Sequence, residues 1–290
     1  MPLKPKLSRP EITGSARMVF IFGHPVEHSL SPLFQNAAFR KLNLPFFYAP
    51  LDVEPSRIQG AIEILRCENV EGANITVPLK TRVLRYLDRV DHVAKGLNSV
   101  NTVYKRQGKL HGTSTDGEGF LISLGPWRRK LKGSRGMIMG AGGAARAVGF
   151  ALARSGVRSL KIANWDATET KGFFTMLRGN FPRLELACMS LKEGEKALAD
   201  CEWIVQATSL GLKPVDPSPL SLQKAPRTSW VVELIYHHPT QFLIQARARK
   251  MPFKNGLGML LHQGALSFEL WTGKKAPLDH MKRALLRSLV

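Results

Sequence analysis

A chain of 290 residues with 44% hydrophobic side chains is long enough for two domains, each with its own core. Its 42 Lys and Arg against 22 Asp and Glu leave a formal charge of +20, spread over clusters near residues 4–9, 128–135, 247–254 and 274–287. Those clusters lack interleaved aromatics and come with no zinc or RNA-recognition signature, so a solvated basic surface is expected and no specific nucleic-acid interface.

No apolar run reaches the roughly 20 residues that a membrane helix needs, so no membrane partner is expected. Met1–Arg9 is basic and Pro-containing without the apolar centre of a signal peptide, and reads as a short flexible tail. Cys67, Cys188 and Cys201 are widely spaced, form no metal pattern, and suit a reducing cytoplasm.

Met18–Phe22 is a short apolar run that ends in Gly23 and reads as a buried strand. Ser31 before Pro32 reads as the N-cap of a helix over 33–42, which puts Ser29 and Ser31 at a positive helix end. That is either a carboxylate site or an ordinary cap. A second strand is expected over 46–49, then a helix over 55–66. In Gly72–Lys80, period-two alternation puts Asn74 and Thr76 on one side of an extended segment. Pro78 is expected to open a helix with Lys80 in its first turn. A cation there opposes the macrodipole, which marks Lys80 as a candidate functional residue or else a surface lysine. After a helical turn near 92–95, segments 99–105 and 109–116 flank Gln107-Gly108 and read as a hairpin. Asp116 ends it and either caps the next helix, 117–124, or does chemistry.

A basic linker, 125–135, leads into Met137-Ile-Met-Gly-Ala-Gly-Gly-Ala-Ala-Arg-Ala147. A strand, a glycine run (Gly140, Ala141, Gly142, Gly143, Ala144) and a small-residue helix are what a dinucleotide pyrophosphate requires. The glycines let backbone approach the phosphates, and the helix presents unpaired N–H groups to them. Strands at 160–163, 184–187, 203–206 and 230–236, with a helix near 168–177, continue a doubly wound parallel sheet. Asn255–Gly258 is a second breakpoint. Two amphipathic helices, 259–271 and 280–289, then have no sheet left to join and are expected to pack back across the chain.

At this point the residues resemble the shikimate dehydrogenase family over nearly the whole chain. The resemblance rests on an ordered set: Gly23–Pro32, Asn74–Lys80, Val100–Thr102, Gly112–Asp116, Gly140–Ala147, Ala207-Thr208, Tyr236-x-x-Pro239 and Gly258–Ala265. It implies an α/β, two-domain enzyme, an N-terminal α/β substrate domain plus a Rossmann-type doubly wound dinucleotide-binding domain. The corresponding segments are 1–116, 117–255 and the returning helices 256–290. The implied reaction is reversible hydride transfer between a nicotinamide and C3 of 3-dehydroshikimate, in aromatic amino-acid (chorismate) biosynthesis.

By resemblance Lys80 is the acid/base group with Asp116 beside it. Ser29 and Ser31 bind the substrate carboxylate; Asn74, Thr76, Asn101, Tyr236 and Gln263 position the ring. The cofactor set is Gly140, Ala141, Gly142, Gly143, Ala144, Asn164, Trp165, Asp166, Thr208 and Gly256. A small-molecule substrate, a cytoplasmic setting and a homodimer are the remaining expectations, with no metal.

The chain departs from the family at Ser114 (usually Asn), Asn98-Ser99 (usually Gly-Ala) and Glu233 (often Asp). Most informative is Asn164-Trp-Asp166, where NADP-using members have Asn-Arg-Thr and then a further basic residue, here Glu169. A carboxylate suits a free ribose 2′-OH and repels a phosphate, so Trp165 and Asp166 lean to NAD while the family leans to NADP. Both stay open. An NAD-dependent quinate/shikimate dehydrogenase and a non-catalytic nucleotide-binding regulator are the competing functions.

Overall fold

The computed structural model describes residues 13–288. The tail Met1–Arg9 and the end of the last expected helix, Leu289, lie outside them.

The first half is built on strands β1 (Arg17–Gly23), β2 (Phe46–Asp52), β3 (Val70–Ile75), β4 (Arg89–Val90), β5 (Thr102–Arg106) and β6 (Lys109–Thr113). Its helices are α1 (Ser31–Lys41), α2 (Ile58–Ile64) and α3 (His92–Leu97). The sheet order is β2-β1-β3-β5-β6-β4, parallel around β1 and antiparallel across β3, β5 and β6. The expected hairpin joins β5 to β6. Gln107 and Gly108 both have positive φ, 51° and 71°, as a two-residue turn that follows the strand twist requires. Asn98 likewise takes a left-handed conformation at the end of α3, φ 50°.

After α4 (Asp116–Ser123), the second half carries β7 (Arg135–Met139), α5 (Gly143–Arg154), β8 (Ser159–Ala163), α6 (Ala167–Asn180), β9 (Glu185–Met189), α7 (Leu191–Lys196), β10 (Trp203–Gln206), β11 (Trp230–Glu233), α8 (Gln241–Ala248) and β12 (Phe253–Lys254). All six strands are parallel, in the order β12-β11-β10-β7-β8-β9. That is the doubly wound dinucleotide-binding order, with its switch point between β7 and β10. α7, α8, β4 and β12 are additions to the sequence-based expectation. The first two are short or weakly amphipathic, and the last two contain only two residues each.

Helices α9 (Leu257–Thr272) and α10 (Leu278–Arg287) return to the first half as expected. Leu261, Phe268, Trp271, Met281 and Leu285 share a buried cluster with Val19, Phe34 and Phe39. Two buried polar ties fix α9: Gln35 Nε2 donates to Gly264 O at 2.8 Å, and Trp271 Nε1 to Val103 O at 2.9 Å. α9 also crosses α4 at Gly119, where a Cβ would lie 2.5 Å from the Gln263 nitrogen. That close approach seats Gln263 beside the hairpin end. Among the described residues no helix is long and apolar enough to cross a membrane.

Candidate active site

A cleft of about 310 Å³ opens between the two sheets, within the usual range for small-molecule sites. It is lined by Ser29, Ser31, Asn74, Thr76, Lys80, Asn101 and Asp116 from the first half, and by Ala144, Tyr236, Gly256 and Gln263 from the second half and α9. All nine residues that sequence reasoning put at the substrate therefore share one chamber. Ile21, Val26, Met259 and Leu260 supply its apolar wall.

Lys80 Nζ donates to Asp116 Oδ2 at 2.6 Å, with both side chains largely buried. Lys80 does not stand in the first turn of a helix. Residues 77–81 form a turn, and the 3-10 helix after it begins only at Arg82, so no helix dipole acts against the ammonium as supposed. The turn brings Lys80 back to the sheet, where its carbonyl accepts from Val100 N at 2.9 Å.

Asp116 is not a helix cap either. It is the first residue of α4, and no side chain caps that helix. Its Oδ1 instead accepts from Asn101 Nδ2 at 2.8 Å while Oδ2 takes the lysine. Each carboxylate oxygen thus has a defined donor, which fixes the direction of the ammonium.

Asn101 is the hub. Its Oδ1 accepts from Thr115 N at 2.8 Å and Thr102 Oγ1 at 2.9 Å, and its Nδ2 also reaches Thr115 Oγ1 at 2.9 Å. Asn74 is bound on every side: Oδ1 accepts from Tyr48 Oη at 2.7 Å, and Nδ2 donates to Ser267 Oγ at 3.0 Å and Asn101 O at 3.1 Å. Burial raises the Tyr48 phenol far above its ordinary value and keeps it a donor. Tyr48, Thr102, Thr115 and Ser267 escaped sequence reasoning. Ser267 carried one usable signal, since it stands four residues after Gln263 on the same helix face.

Ser31 is likewise not the N-cap; it opens α1 after Leu30, and its backbone N–H donates to Ser29 Oγ at 3.3 Å. With its oxygen serving as acceptor, the Ser29 hydroxyl retains its proton for a ligand. Tyr236 lies on the loop after β11, its ring 4.1 Å from that of His237, and burial raises its phenol.

That loop hangs on Glu233, which is fully buried. Its carboxylate accepts from Ile235 N at 3.1 Å and from Thr240 Oγ1, the cap of α8, at 2.9 Å. Burial raises its carboxyl from 4.5 to about 7, although those donors pull it down. Because the folded value exceeds the unfolded one, the associated stability is complete below about pH 4.5 and is lost as pH rises through 7. Glu233→Gln is therefore expected to raise the melting temperature at pH 8, by a free energy of about 1–3 kcal/mol, and to give no gain at pH 4.5. Thermal melts at the two pH values check this; an equal shift at both contradicts it.

The glycine loop sits at the switch point. Gly142 caps α5, Gly143 begins it, and nothing lies within 4 Å of a Cβ built on either, so the helix end is open to an anion. Gly140 has φ 101°, and a Cβ there would lie 2.7 Å from Ala207 O. These residues fit a pyrophosphate. Asn164 and Trp165 line a separate pocket with Lys171, Phe174 and Met189, and the Trp165 ring is about half exposed. Asp166 is the N-cap of α6, accepting from Glu169 N at 2.8 Å. Its carboxylate has a structural function that the sequence pattern did not disclose. Thr208 is turned into its own loop, its Oγ1 accepting from Leu210 N at 3.1 Å. No metal-ligating cluster occurs among the described residues.

Residues 21–103 match the shikimate dehydrogenase substrate binding domain, and residues 256–286 the shikimate 5′-dehydrogenase C-terminal domain. The shikimate dehydrogenase (NADP(+)) of Caldanaerobacter subterraneus subsp. tengcongensis is 38% identical over 91% of this chain and 94% of that protein. That of Methanopyrus kandleri is 37% identical over 96% and 98%. The shikimate 5-dehydrogenase of Listeria monocytogenes, solved with shikimate and NAD, superposes with a TM-score of 0.89 at 30% identity, covering 96% of this chain and 99% of that one. Matches that run through both sheets and the returning helices, at this identity and coverage, leave one assignment: the chain belongs to the shikimate dehydrogenase family.

Proposed function

We propose that this chain catalyses the reversible, NAD(P)-dependent reduction of 3-dehydroshikimate to shikimate. The observation that carries the proposal is the Lys80–Asp116 pair in a cleft that also contains Ala144 of the glycine loop. That Lys80 and the open end of α5 share one chamber supports a proton donor working beside a bound nucleotide. In the proposed division of labour, residues 1–116 with 256–290 hold the substrate and residues 117–255 the nucleotide.

When bound, the nicotinamide supplies or accepts the hydride. Lys80 Nζ donates a proton to the C3 oxygen as negative charge develops there, and takes it back in the reverse direction. An ammonium aimed at that oxygen stabilises the transition state more than the ketone. Asp116 and Asn101 hold its direction, so little reorganisation is needed as the reaction proceeds. Ser29 and Ser31 hydroxyls take the substrate carboxylate. Thr76, Tyr236 and Gln263 meet the ring hydroxyls, with Asn74 and Asn101 fixing the wall behind them. Gly140–Ala144, Asn164, Trp165, Asp166, Thr208 and Gly256 surround the nucleotide. The exposed free thiols of Cys67 and Cys188 accord with a cytoplasmic setting.

The relatives named above are shikimate enzymes, which disfavours quinate, and the intact Lys80–Asp116 pair disfavours a non-catalytic regulator. A rate matrix of shikimate and quinate against NAD and NADP tests the assignment. Shikimate is expected to exceed quinate in kcat/KM by about 10- to 100-fold, the range for rejecting one added hydroxyl. No turnover of shikimate or 3-dehydroshikimate with either cofactor would refute it.

A further inference from the structure

We propose that Arg146 recognises the 2′-phosphate of a phosphorylated dinucleotide, supplying the cation that Trp165 does not, and so sets this chain's preference for NADP. The proposal rests on the dinucleotide reading of the glycine loop and deepens it.

Arg146 lies one turn into α5, on the helix that the glycine loop opens. Its guanidinium spans two segments. Nε donates to Ala141 O, inside the glycine loop, at 2.9 Å, and Nη2 donates to Glu169 O, in the first turn of α6, at 3.3 Å. Room for it comes from α6: a Cβ at Gly172 would lie 2.9 Å from Nη2. Any other side chain at 172 would push the guanidinium out of this berth.

Electrostatics makes the placement unusual. The first turns of α5 and α6 both carry positive partial charge, so a cation between them is opposed by both dipoles. Among the described residues no carboxylate forms an ion pair with Arg146. The acids nearest in sequence on α6 do not relieve it: Asp166 is directed to the Glu169 N–H as a cap, and Glu169 is exposed and approaches Arg146 through its carbonyl. A two-point anchorage by Nε and Nη2 still leaves Nη1 with both protons free. An anchored, unpaired guanidinium beside two helix N-termini is a site for a dianion. Lys171, on the next turn of α6, lines the adjoining pocket with Asn164 and Trp165 and adds to the positive field. On this basis the Asp166 carboxylate does not exclude the phosphate, because the cap holds it at the helix end.

Calorimetric titration of the full chain with adenosine 2′,5′-bisphosphate, AMP, NADP and NAD tests this without turnover. The unsubstituted protein is expected to bind the 2′-phosphorylated member of each pair about 10- to 100-fold more tightly, the value of one or two charge-assisted hydrogen bonds. Arg146→Ala is expected to remove that preference while affinity for NAD and AMP is retained, and Arg146→Lys to restore part of it. Equal weakening of all four ligands in Arg146→Ala would make the arginine a strut between α5 and α6 and overturn the proposal. So would a preference of the unsubstituted protein for NAD and AMP. Both results leave the dinucleotide reading standing, whereas failure of all four ligands to bind the unsubstituted protein would overturn that reading as well.

Discussion

Replacing Lys80 with alanine is expected to lower kcat by about 10²- to 10⁴-fold, the usual contribution of a positioned proton donor, with nucleotide affinity retained. The two effects separate because Lys80 and the glycine loop belong to different sheets and meet only across the cleft. Removing the ammonium also leaves Asp116 Oδ2 without its donor in a largely buried wall. Asn101 Nδ2 still holds Oδ1, so the carboxylate keeps its place and the fold tolerates the loss. The pair acts as a unit, so Asp116→Asn combined with Lys80→Ala should cost much less than the sum of the single effects. Steady-state rates with 3-dehydroshikimate, together with nucleotide titration of the same preparations, decide the matter. Turnover by Lys80→Ala within tenfold of the parent would end the assignment of Lys80 as acid/base.

What could be read from the sequence depended on how local each cause was. The glycine loop was legible because strand, turn and helix are contiguous, and its requirements act within about ten residues. The βα alternation after it predicted the parallel sheet for the same reason. Two returning helices were legible by exclusion, since amphipathic stretches without a sheet must cover one already built. Lys80 was singled out for an incorrect physical reason: the chain makes a turn at 77–81 where a helix was expected, and what distinguishes the lysine is Asp116, 36 residues away. Ser31 and Asp116 looked like caps because Ser-Pro and Thr-Asp patterns precede helices. Whether the side chain turns back onto the helix or toward a partner is decided by tertiary contacts. The polar network behind the site was hidden altogether. Asn74 meets Ser267 across 193 residues, and Tyr48 reaches Asn74 only because their parent strands flank β1. Asp166 shows the converse case: it caps α6 locally, a function that the nucleotide pattern around it did not disclose.

Gly140→Val is expected to weaken nucleotide binding by at least about 100-fold, a loss of about 2.7 kcal/mol or more, and to lower the melting temperature by about 5–10 °C. Gly140 is pinned on both sides of the switch point. Its N–H donates to Ala163 O at 2.9 Å, while the neighbouring Met139 O accepts from Ala207 N at 2.9 Å. The chain meets both restraints with φ at 101°, a region that a β-branched residue does not enter without strain of about 1–3 kcal/mol. A Cβ would also press on backbone, 2.7 Å from Ala207 O and 3.0 Å from Thr208 N, so no side-chain rotation relieves it. Either the loop after β10 moves away or the glycine loop lifts, and both open the crevice where the pyrophosphate would lie. The damage is confined to the second sheet. Shikimate binding, which the proposed assignment gives to the first half and α9, should therefore persist at temperatures where the variant is folded. Calorimetry with the nucleotide and with shikimate separates the two. Unchanged nucleotide affinity in the folded variant would mean that the loop at the β7–β10 switch point does not hold the cofactor.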